Sequence, residues 1–301
     1  MYQQTIAEKV SCTGVGLHSG APTQLTLHPA RANTGIVFVR TDLGDPVEIP
    51  ARSAEVVSTA LATTLGRGAA TVGTVEHLLA ALYGLCIDNV RIEIDGPELP
   101  VMDGSAAPFV YLIRSAGIFQ QRASRDVLHI GRKIEVVDGD RRISIEPAAD
   151  FRVDYAVDFT HPGIGRQALA IGPLSPERFE REISAARTFG FLREVNALWE
   201  AGFARGGSLD NTVVLDDEKV VNGGGLRWPD EFVRHKVLDL CGDLALVGLP
   251  VCGHVRAERG GHEMHQRLVA EILATPDAWT IGEAIRRRGV DLARWSQRIR
   301  A

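Results

Sequence analysis

The sequence predicts an α+β fold of two similar units that face each other. In the first half of the chain, strand-like runs surround one clear amphipathic helix, and the second half repeats that order. In both halves, 26 or 27 residues separate a helix histidine from a polar loop residue, namely His77 from Asp103 and His235 from His262. The identity between the halves is too low to establish duplication, so the parallel predicts similar architecture only.

The length and composition are those of a globular protein with two domains of ordinary size. Within 301 residues each domain can bury its own core without disulfides, and the four cysteines form no CxxC pair, so reduced packing thiols are expected. The net charge of -5 gives no global basic field, which disfavours nucleic acid as a partner but leaves room for a small anionic ligand held by a few local Lys or Arg side chains. No signal-peptide pattern and no apolar run near the roughly 20 residues of a membrane span are found, so we expect a cytoplasmic protein.

The first half is predicted to contain three strands and two helices. The strand-like runs are QLTLHPA, GIVFVR and VRIEI. The helix TVEHLLAALYGL carries an apolar stripe at i, i+3, i+4 and i+7, made of Val75, Leu78, Leu79 and Leu82. Thr74 is the expected N-cap of this helix, and Glu76 and His77 lie off the stripe. A second helix, APFVYLIRSAG, follows the loop DGPELPVMDGSAAP.

The second half is predicted to repeat this plan with an extra helix. A helix at 231–244 leads to the strand GHVRAE, the loop RGGH and the helix EMHQRLVAEILA. The segment FLREVNALWEAGF also has apolar residues at helical spacing, which from the residues alone favours packing in the core. The polar stretch FQQRASRD at 119–126 indicates a boundary, so we expect domains 1–122 and 123–301. Beyond about residue 275 the chain is predicted to be helical and charged.

One helix carries a pattern that fits a metal site. In EFVRHKVLDLCGD, residues i and i+4 share one helix face, so His235, Asp239 and Asp243 line up opposite the apolar positions. This geometry allows two ligands to meet one cation. A solvated helix face has the same pattern, and from this helix alone that interpretation is favoured.

A second helix supplies the missing groups. Catalytic zinc uses three protein ligands, and the pair Glu76-His77 offers one ligand beside a carboxylate that could act as a general base in metal-assisted hydrolysis. The sequence GGHEMHQRL is not a zincin motif, because His262 and His265 are three residues apart instead of four. His262 follows two glycines and could approach a substrate, whereas His265 is expected on the helix surface.

Together these segments resemble one enzyme family. The motifs are, in chain order, GVGLHSG (14–20), TVEHLLAAL (74–82), IDNVRIEIDGPELPVMDGSAAPF (87–109), ARTFGF (186–191), GGSLDNTVVLDD (206–217), EFVRHKVLDLCGD (231–243) and GGH (260–262). They are similar to those of the zinc-dependent UDP-3-O-acyl-N-acetylglucosamine deacetylases, which carry out the committed step of lipid A synthesis in Gram-negative bacteria. The resemblance implies two two-layer α+β domains, each a small mixed sheet packed on helices, with the active site at their junction.

The resemblance also implies roles for individual residues. The Zn2+ ligands would be His77, His235 and Asp239. The catalytic residues would be Glu76 as general base, His262 as general acid held by Asp243, Thr188 at the oxyanion, and Lys236 as a neutralising charge. Substrate contacts would come from Phe189, Phe191, His18 and Arg141. An insertion near 191–206 would form an apolar passage for the fatty acyl chain of the small-molecule substrate. The resemblance implies no obligate protein partner and at most peripheral contact with a membrane.

Two positions depart from the family pattern. A lysine is expected after the DGD turn for the substrate diphosphate, but the chain has DGDRR, so Arg141 or Arg142 must serve with different geometry. After GGH the family has a small or apolar residue and then Leu-Asn-Asn, whereas this chain has EMHQ. Two other functions remain open on the sequence alone: a non-catalytic sugar-nucleotide binding module with a structural metal, and a metal-free protein with solvated helix faces. The unligated Glu76 argues against the binding module.

Overall fold

The computed structural model describes residues 1–283. Their helices are α1 (Glu76–Gly84), α2 (Ala107–Ser115), α3 (Pro176–Glu182), α4 (Leu192–Glu200), α5 (Glu231–Leu244) and α6 (His262–Ala274). Their strands are β1 (Tyr2–Ile6), β2 (Val10–Val15), β3 (Pro22–Pro29), β4 (Ile36–Arg40), β5 (Val47–Pro50), β6 (Val56–Ser58), β7 (Thr64–Arg67), β8 (Ala70–Val72), β9 (Val90–Ile94), β10 (Ile118–Ser124), β11 (Asp126–Ile130), β12 (Ile134–Asp138), β13 (Arg141–Glu146), β14 (Arg152–Asp158), β15 (Arg166–Ile171), β16 (Phe189–Phe191), β17 (Val213–Leu215), β18 (Val251–Cys252), β19 (His254–Glu258) and β20 (Trp279–Glu283). Short 3-10 turns lie at Ser53–Glu55, Ala245–Val247 and Pro276–Ala278.

Two five-stranded mixed sheets have the same topology. The first has the order β2-β3-β9-β4-β5, and the second has the order β12-β13-β19-β14-β15. In each sheet the third and fourth strands in that order are parallel, and every other neighbouring pair is antiparallel. The predicted α+β fold with two similar units is therefore confirmed at the level of strand order.

The helices occupy equivalent places in the two units. Each of α1 and α5 precedes the central strand of its sheet, β9 or β19, and each of α2 and α6 follows that strand. The helix histidines His77 and His235 therefore lie on corresponding elements. The two corresponding helices α1 and α5 pack against each other, and buried apolar side chains from both units form one continuous core.

The apolar stripe of α1 is completely buried, as predicted, but Thr74 does not cap the helix. Its hydroxyl donates to Glu98 Oε1 at 2.8 Å, and its φ of 54° lies in the left-handed region. Glu98 also accepts the backbone N–H groups of His18 and Ser19 at 2.9 and 2.7 Å. Thr74 and the loop that carries His18 are therefore anchored on the same carboxylate.

The predicted linker is part of a strand. Most of the stretch 119–126 belongs to β10, which pairs with β1, and Arg125 alone separates β10 from β11. The division into 1–122 and 123–301 remains a prediction. The prediction of a helix after residue 275 is wrong for residues 279–283, which form β20 beside β11. The rest of that predicted helix, 284–301, lies outside the described residues. In the described part of the chain, every helix is too short or too polar to cross a membrane.

Candidate active site and metal centre

The polar face of α5 is buried. His235, Asp239 and Asp243 are 3%, 1% and 0% exposed, so the interpretation of this face as solvated is wrong. The cause is α1, which packs across this face. The two helices approach closely at Gly242, where an added Cβ would lie 2.1 Å from the backbone carbonyl oxygen of Glu76.

This packing brings together the three predicted metal ligands. The Nε2 atoms of His77 and His235 lie 3.9 and 3.3 Å from Asp239 Oδ1, and ligand atoms of all three residues lie within 4.8 Å of one another. Among residues 1–283, Asp239 Oδ1 has no hydrogen-bond partner, although it is buried. A buried carboxylate oxygen without a donor, facing two imidazoles, is the arrangement expected of a cation site. The group could therefore hold a metal ion.

The protonation of the two imidazoles suits ligation. Burial lowers the pKa of His77 to about 3 and also lowers the pKa of His235, so both rings are neutral near pH 7. His235 Nδ1 donates to the carbonyl oxygen of Ala186 at 3.0 Å, which leaves the Nε2 lone pair directed at the site. Lys236 Nζ donates to Asp239 Oδ2 at 2.8 Å and favours the ionised carboxylate.

Glu76 lies beside this group with one oxygen fixed. The backbone N–H of Thr63 donates to Glu76 Oε2 at 3.1 Å, while Oε1 lies 3.8 Å from His262 Nε2. Burial raises the pKa of Glu76 to about 7, which places its proton affinity in the range useful to a general base. Sequence reasoning missed Thr63, which directly precedes β7 and belongs to no recognisable motif.

His262 is held as an imidazolium on the other side of Glu76. Its Nδ1 donates to Asp243 Oδ2 at 2.8 Å, and Thr63 Oγ1 donates to Asp243 Oδ1 at 2.6 Å. Burial opposes the charge of His262, but the carboxylates of Asp243, Asp239 and Glu76 together outweigh that effect and raise the pKa of His262 to about 9. Burial likewise opposes ionisation of Asp243, yet His262 lowers its pKa to about 2.

His265 is not the surface residue that the sequence indicated. It is 0% exposed, its Nδ1 lies 2.8 Å from Asp243 Oδ2, and its Nε2 lies 2.9 Å from the Tyr155 hydroxyl. The prediction failed because the first turn of α6 lies over α5, so the i+3 position faces Asp243 instead of water.

Aromatic side chains line the approach to the ligand group. The Phe189 ring lies 6.2 Å from the His235 ring and 5.5 Å below Lys236 Nζ. Thr188 precedes Phe189 and is tied to the loop before α2 by a 2.8 Å bond from its backbone N–H to the Gly104 carbonyl oxygen. Phe159, which sequence reasoning missed, contacts both Phe189 and Phe191 at centroid distances of 5.7 and 6.2 Å.

His18 and the α4 segment lie together. The His18 ring meets Phe203 edge-on at 5.7 Å, and the backbone N–H of Arg205 donates to the His18 carbonyl oxygen at 3.1 Å. Both ring nitrogens of His18 lack a hydrogen-bond partner within the described residues, and burial lowers its pKa. The ring is therefore neutral and available to a ligand.

The apolar stripe of α4 is not buried, because Val195 and Leu198 are half-buried and Trp199 is exposed, so its assignment to the core is wrong. No residue of α4 is buried, and Leu192 and Trp199 are 52% and 53% exposed. Just beyond the helix, Phe203 is 39% exposed. Periodicity correctly predicted the helix but could not distinguish a face covered by protein from one left open.

The two arginines of the DGDRR turn are already paired with acids. Arg141 bonds to Asp138 and, at 2.9 Å, to Glu263, the neighbour of His262. Arg142 bonds to Glu135 at 3.3 Å. Arg141 is thus the arginine held next to His262, and an anionic ligand would have to compete with its two carboxylates.

Gly242→Ala is expected to displace α1 and weaken metal binding. Because the new Cβ would overlap a backbone atom, we expect a loss of roughly 1 to 3 kcal/mol in unfolding free energy, as in other overpacked sites. Thermal or urea unfolding together with metal titration measures both effects. Gly223→Ala is the matched control, because its Cβ would meet nothing within 4 Å. Equal stability and metal affinity in the two variants would contradict this account.

Comparison with known proteins places the chain in one family. The family model described as UDP-3-O-acyl N-acetylglycosamine deacetylase matches residues 3–274. A protein of Myxococcus xanthus named UDP-3-O-acyl-N-acetylglucosamine deacetylase is 53% identical over 285 residues, covering 95% of this chain and 90% of the relative. Proteins with the same name from Anaeromyxobacter sp. and Pasteurella multocida are 54% and 47% identical, over 91% and 92% of this chain and 89% and 92% of their own lengths. The buried His-His-Asp group and its flanking Glu76 and His262 thus lie in a chain that belongs to the UDP-3-O-acyl N-acetylglycosamine deacetylase family.

Proposed function

We propose that this protein hydrolyses the N-acetyl group of UDP-3-O-acyl-N-acetylglucosamine. The products are acetate and the free amine, and the reaction is the committed step of lipid A synthesis. The observation that carries the proposal is the buried cluster in which a base, Glu76, and an acid, His262, flank the group His77, His235 and Asp239. Hydrolysis of an unactivated amide needs both proton transfers and an electrophile, and this cluster offers positions for all three.

We assign the metal of this site as Zn2+, held by His77, His235 and Asp239. Two neutral imidazole nitrogens and one carboxylate oxygen are a donor set that zinc accepts, and three protein ligands leave a position open. When bound, the ion supplies Lewis acidity and lowers the pKa of a water molecule towards about 7. The unpartnered Asp239 Oδ1 supports this assignment, because a cation removes the cost of burying it.

The side chains of the protein handle the two protons. Glu76 accepts the proton of the attacking water while Thr63 holds its other oxygen, so the acceptor atom is already oriented. Attack on the amide carbonyl places negative charge on its oxygen, which Thr188 and Lys236 stabilise. His262 then donates its Nε2 proton to the amide nitrogen as the C–N bond breaks, and the amine leaves.

The substrate body is assigned to the surfaces around this cluster. Phe189, Phe191 and His18 contact the substrate, and Arg141 meets the diphosphate in place of its present acidic partners. The open apolar face of α4, within the insertion at 191–206, receives the acyl chain. Burial of each methylene is worth about 0.8 kcal/mol, so the chain can supply much of the affinity.

Trp199→Ala is expected to raise KM for a long-chain substrate with little change in kcat. We expect KM to rise roughly tenfold, which corresponds to the loss of burial of about two methylene groups at about 0.8 kcal/mol each. Steady-state kinetics with a series of acyl lengths measures it, and the effect should shrink as the chain shortens. Tyr111→Ala, which removes another exposed aromatic residue, is the control. A KM increase independent of acyl length would argue against the passage.

The pH dependence of kcat/KM is expected to be bell-shaped. Glu76 is a base only when ionised, so activity falls as pH drops through its pKa, about 7 without metal. His262 is an acid only when protonated, so activity falls as pH rises through its pKa, about 9 without metal. A bound cation favours the carboxylate and disfavours the imidazolium, which moves both limbs to lower pH. His262→Ala should lose the alkaline limb; an unchanged alkaline limb in that variant would remove His262 as the acid.

The direct test of the proposal is acetate release from the UDP-linked substrate. We expect turnover that a chelator abolishes and that zinc restores. Binding of the substrate without acetate release, at full metal occupancy, would instead identify a non-catalytic binding module.

A further inference from the structure

A buried chain of hydrogen bonds continues from His262 away from the reaction site. It runs from His262 through Asp243 and His265 to Tyr155, with donor-acceptor distances of 2.8, 2.8 and 2.9 Å. Asp243, His265 and Tyr155 are at most 1% exposed. Tyr155 lies on β14 of the second sheet, so the chain connects the acid of the proposed reaction to the interior of the second unit.

The direction of each hydrogen bond follows from the donors available. An ionised carboxylate only accepts, so His262 and His265 must both donate their Nδ1 protons to Asp243 Oδ2. Burial lowers the pKa of His265, which leaves that ring neutral with a lone pair on Nε2. The Tyr155 hydroxyl therefore donates to His265 Nε2, and burial, which raises the pKa of Tyr155 well above its usual value, keeps that proton in place.

His265 also fixes the start of the helix that carries His262. The two residues are three apart in the first turn of α6, and both bond to the same oxygen of Asp243. The preceding loop passes directly over this network, because a Cβ on Gly260 would lie 2.5 Å from the Tyr155 hydroxyl and 3.4 Å from His265 Nε2. Thr63 holds the other oxygen of Asp243, so the carboxylate is oriented from both ends.

We propose that His265 is a positioning residue, which holds Asp243 and the first turn of α6 so that His262 Nε2 faces the reacting amide. The proposal rests on the proposed role of His262 as general acid. His265 itself does not touch the substrate. It acts by keeping the Nδ1–H group of His262 hydrogen-bonded to Asp243. The proton on Nε2 is then the one that can be transferred to the substrate.

Two substitutions test the hydrogen bonds of the two ring nitrogens of His265 separately. In His265→Asn the amide N–H takes the place of Nδ1 and can still donate to Asp243. In His265→Gln the longer side chain places its amide at the position of Nε2, where its oxygen can accept from the Tyr155 hydroxyl, and the donor to Asp243 is lost. We expect His265→Asn to keep most of the turnover. We expect His265→Gln to lose roughly 10- to 100-fold in kcat at unchanged KM, the usual cost of removing a partner that orients a functional group.

Nuclear magnetic resonance of the metal-free protein with 15N-labelled histidine gives a readout that does not depend on activity. The wild type should show His262 and His265 both protonated at Nδ1, with two downfield N–H signals. His265→Gln should lose one signal and shift the other, while His265→Asn should keep the His262 signal close to its original position. Thermal unfolding establishes that each variant is folded, and the wild-type tautomers test the proposal even where a variant is not.

The outcomes separate this inference from the proposed function. His262→Ala is the reference: normal turnover in that variant overturns the acid role and the positioning role together. If His262→Ala is slow while His265→Gln turns over like the wild type, only the positioning role is overturned. A wild-type His265 protonated at Nε2 instead of Nδ1, or an unshifted His262 signal in folded His265→Gln, also overturns it.

Discussion

Glu76→Gln is expected to keep its bound metal and to lose roughly 10²- to 10⁴-fold in turnover, the range associated with removal of a general base. The amide can still accept the Thr63 N–H that now bonds Glu76 Oε2, so the loop before β7 should stay in place. What is lost is the ability to take a proton from water. The measurement is kcat for acetate release, alongside metal content of the same sample.

The matched control is Glu93→Gln, which makes the same change at a carboxylate on β9 that pairs with His28. It should leave turnover unchanged. Wild-type turnover in Glu76→Gln would remove Glu76 from the mechanism. Loss of metal together with activity would show instead that Glu76 is needed for metal binding. The negative charge of Glu76 would then serve to stabilise the cation and not to accept a proton from water.

His77→Ala is expected to lose most of its bound metal. Of the three side chains in the group, His77 alone comes from α1, so its removal leaves only the two residues of α5. We expect metal affinity to fall by at least about 10- to 100-fold, since even loss of an outer partner of a ligand costs that much. Metal analysis after dialysis measures the effect. Because a metal that binds only the folded protein raises the unfolding temperature, added zinc should stabilise the wild type and not the variant.

His28→Ala is the control for this experiment, because it removes a histidine of the same unit whose ring bonds to Glu93 on the sheet, away from the ligand group. Its metal content and its stabilisation by zinc should match the wild type. An unchanged stoichiometry in His77→Ala would overturn the assignment of His77 as a ligand. Stabilisation of both variants by zinc would indicate that the ion binds elsewhere.

Much of the site could be predicted because helix geometry is local. The i, i+4 relation of His235 and Asp239 places them on one face whatever surrounds the helix, and α5 begins and ends where the periodicity predicted. Local periodicity likewise predicted β3, β4, β9 and β19, whereas the other strands of the two five-stranded sheets were not predicted. The likeness of the two halves predicted that a histidine on α1 would correspond to one on α5, and the equal strand orders confirm that similarity.

The errors concern what covers each helix face. The polar face of α5 is buried although its residues are those of a solvated face, and the apolar stripe of α4 is not buried although its residues are those of a core helix. The role of His265 was missed in the same way. In each case the side-chain pattern indicates which residues share a helix face. It does not indicate which other element, if any, packs against that face.

The sequence by itself determined the α+β class, the positions of every described helix except α3, the strands β3, β4, β9 and β19, and the set of residues able to bind a cation or move a proton. Only the tertiary structure decided that these residues meet in one buried cluster, with Thr63 holding two of its carboxylates and Gly242 allowing α1 to approach α5. The physical reason is the distance along the chain over which each effect acts. Backbone periodicity acts over one or two turns, whereas ligand geometry and the burial that shifts the pKa values of Glu76 and His262 depend on contacts between different elements, from the 19 positions that separate Asp243 from His262 to the 180 that separate Thr63 from Asp243.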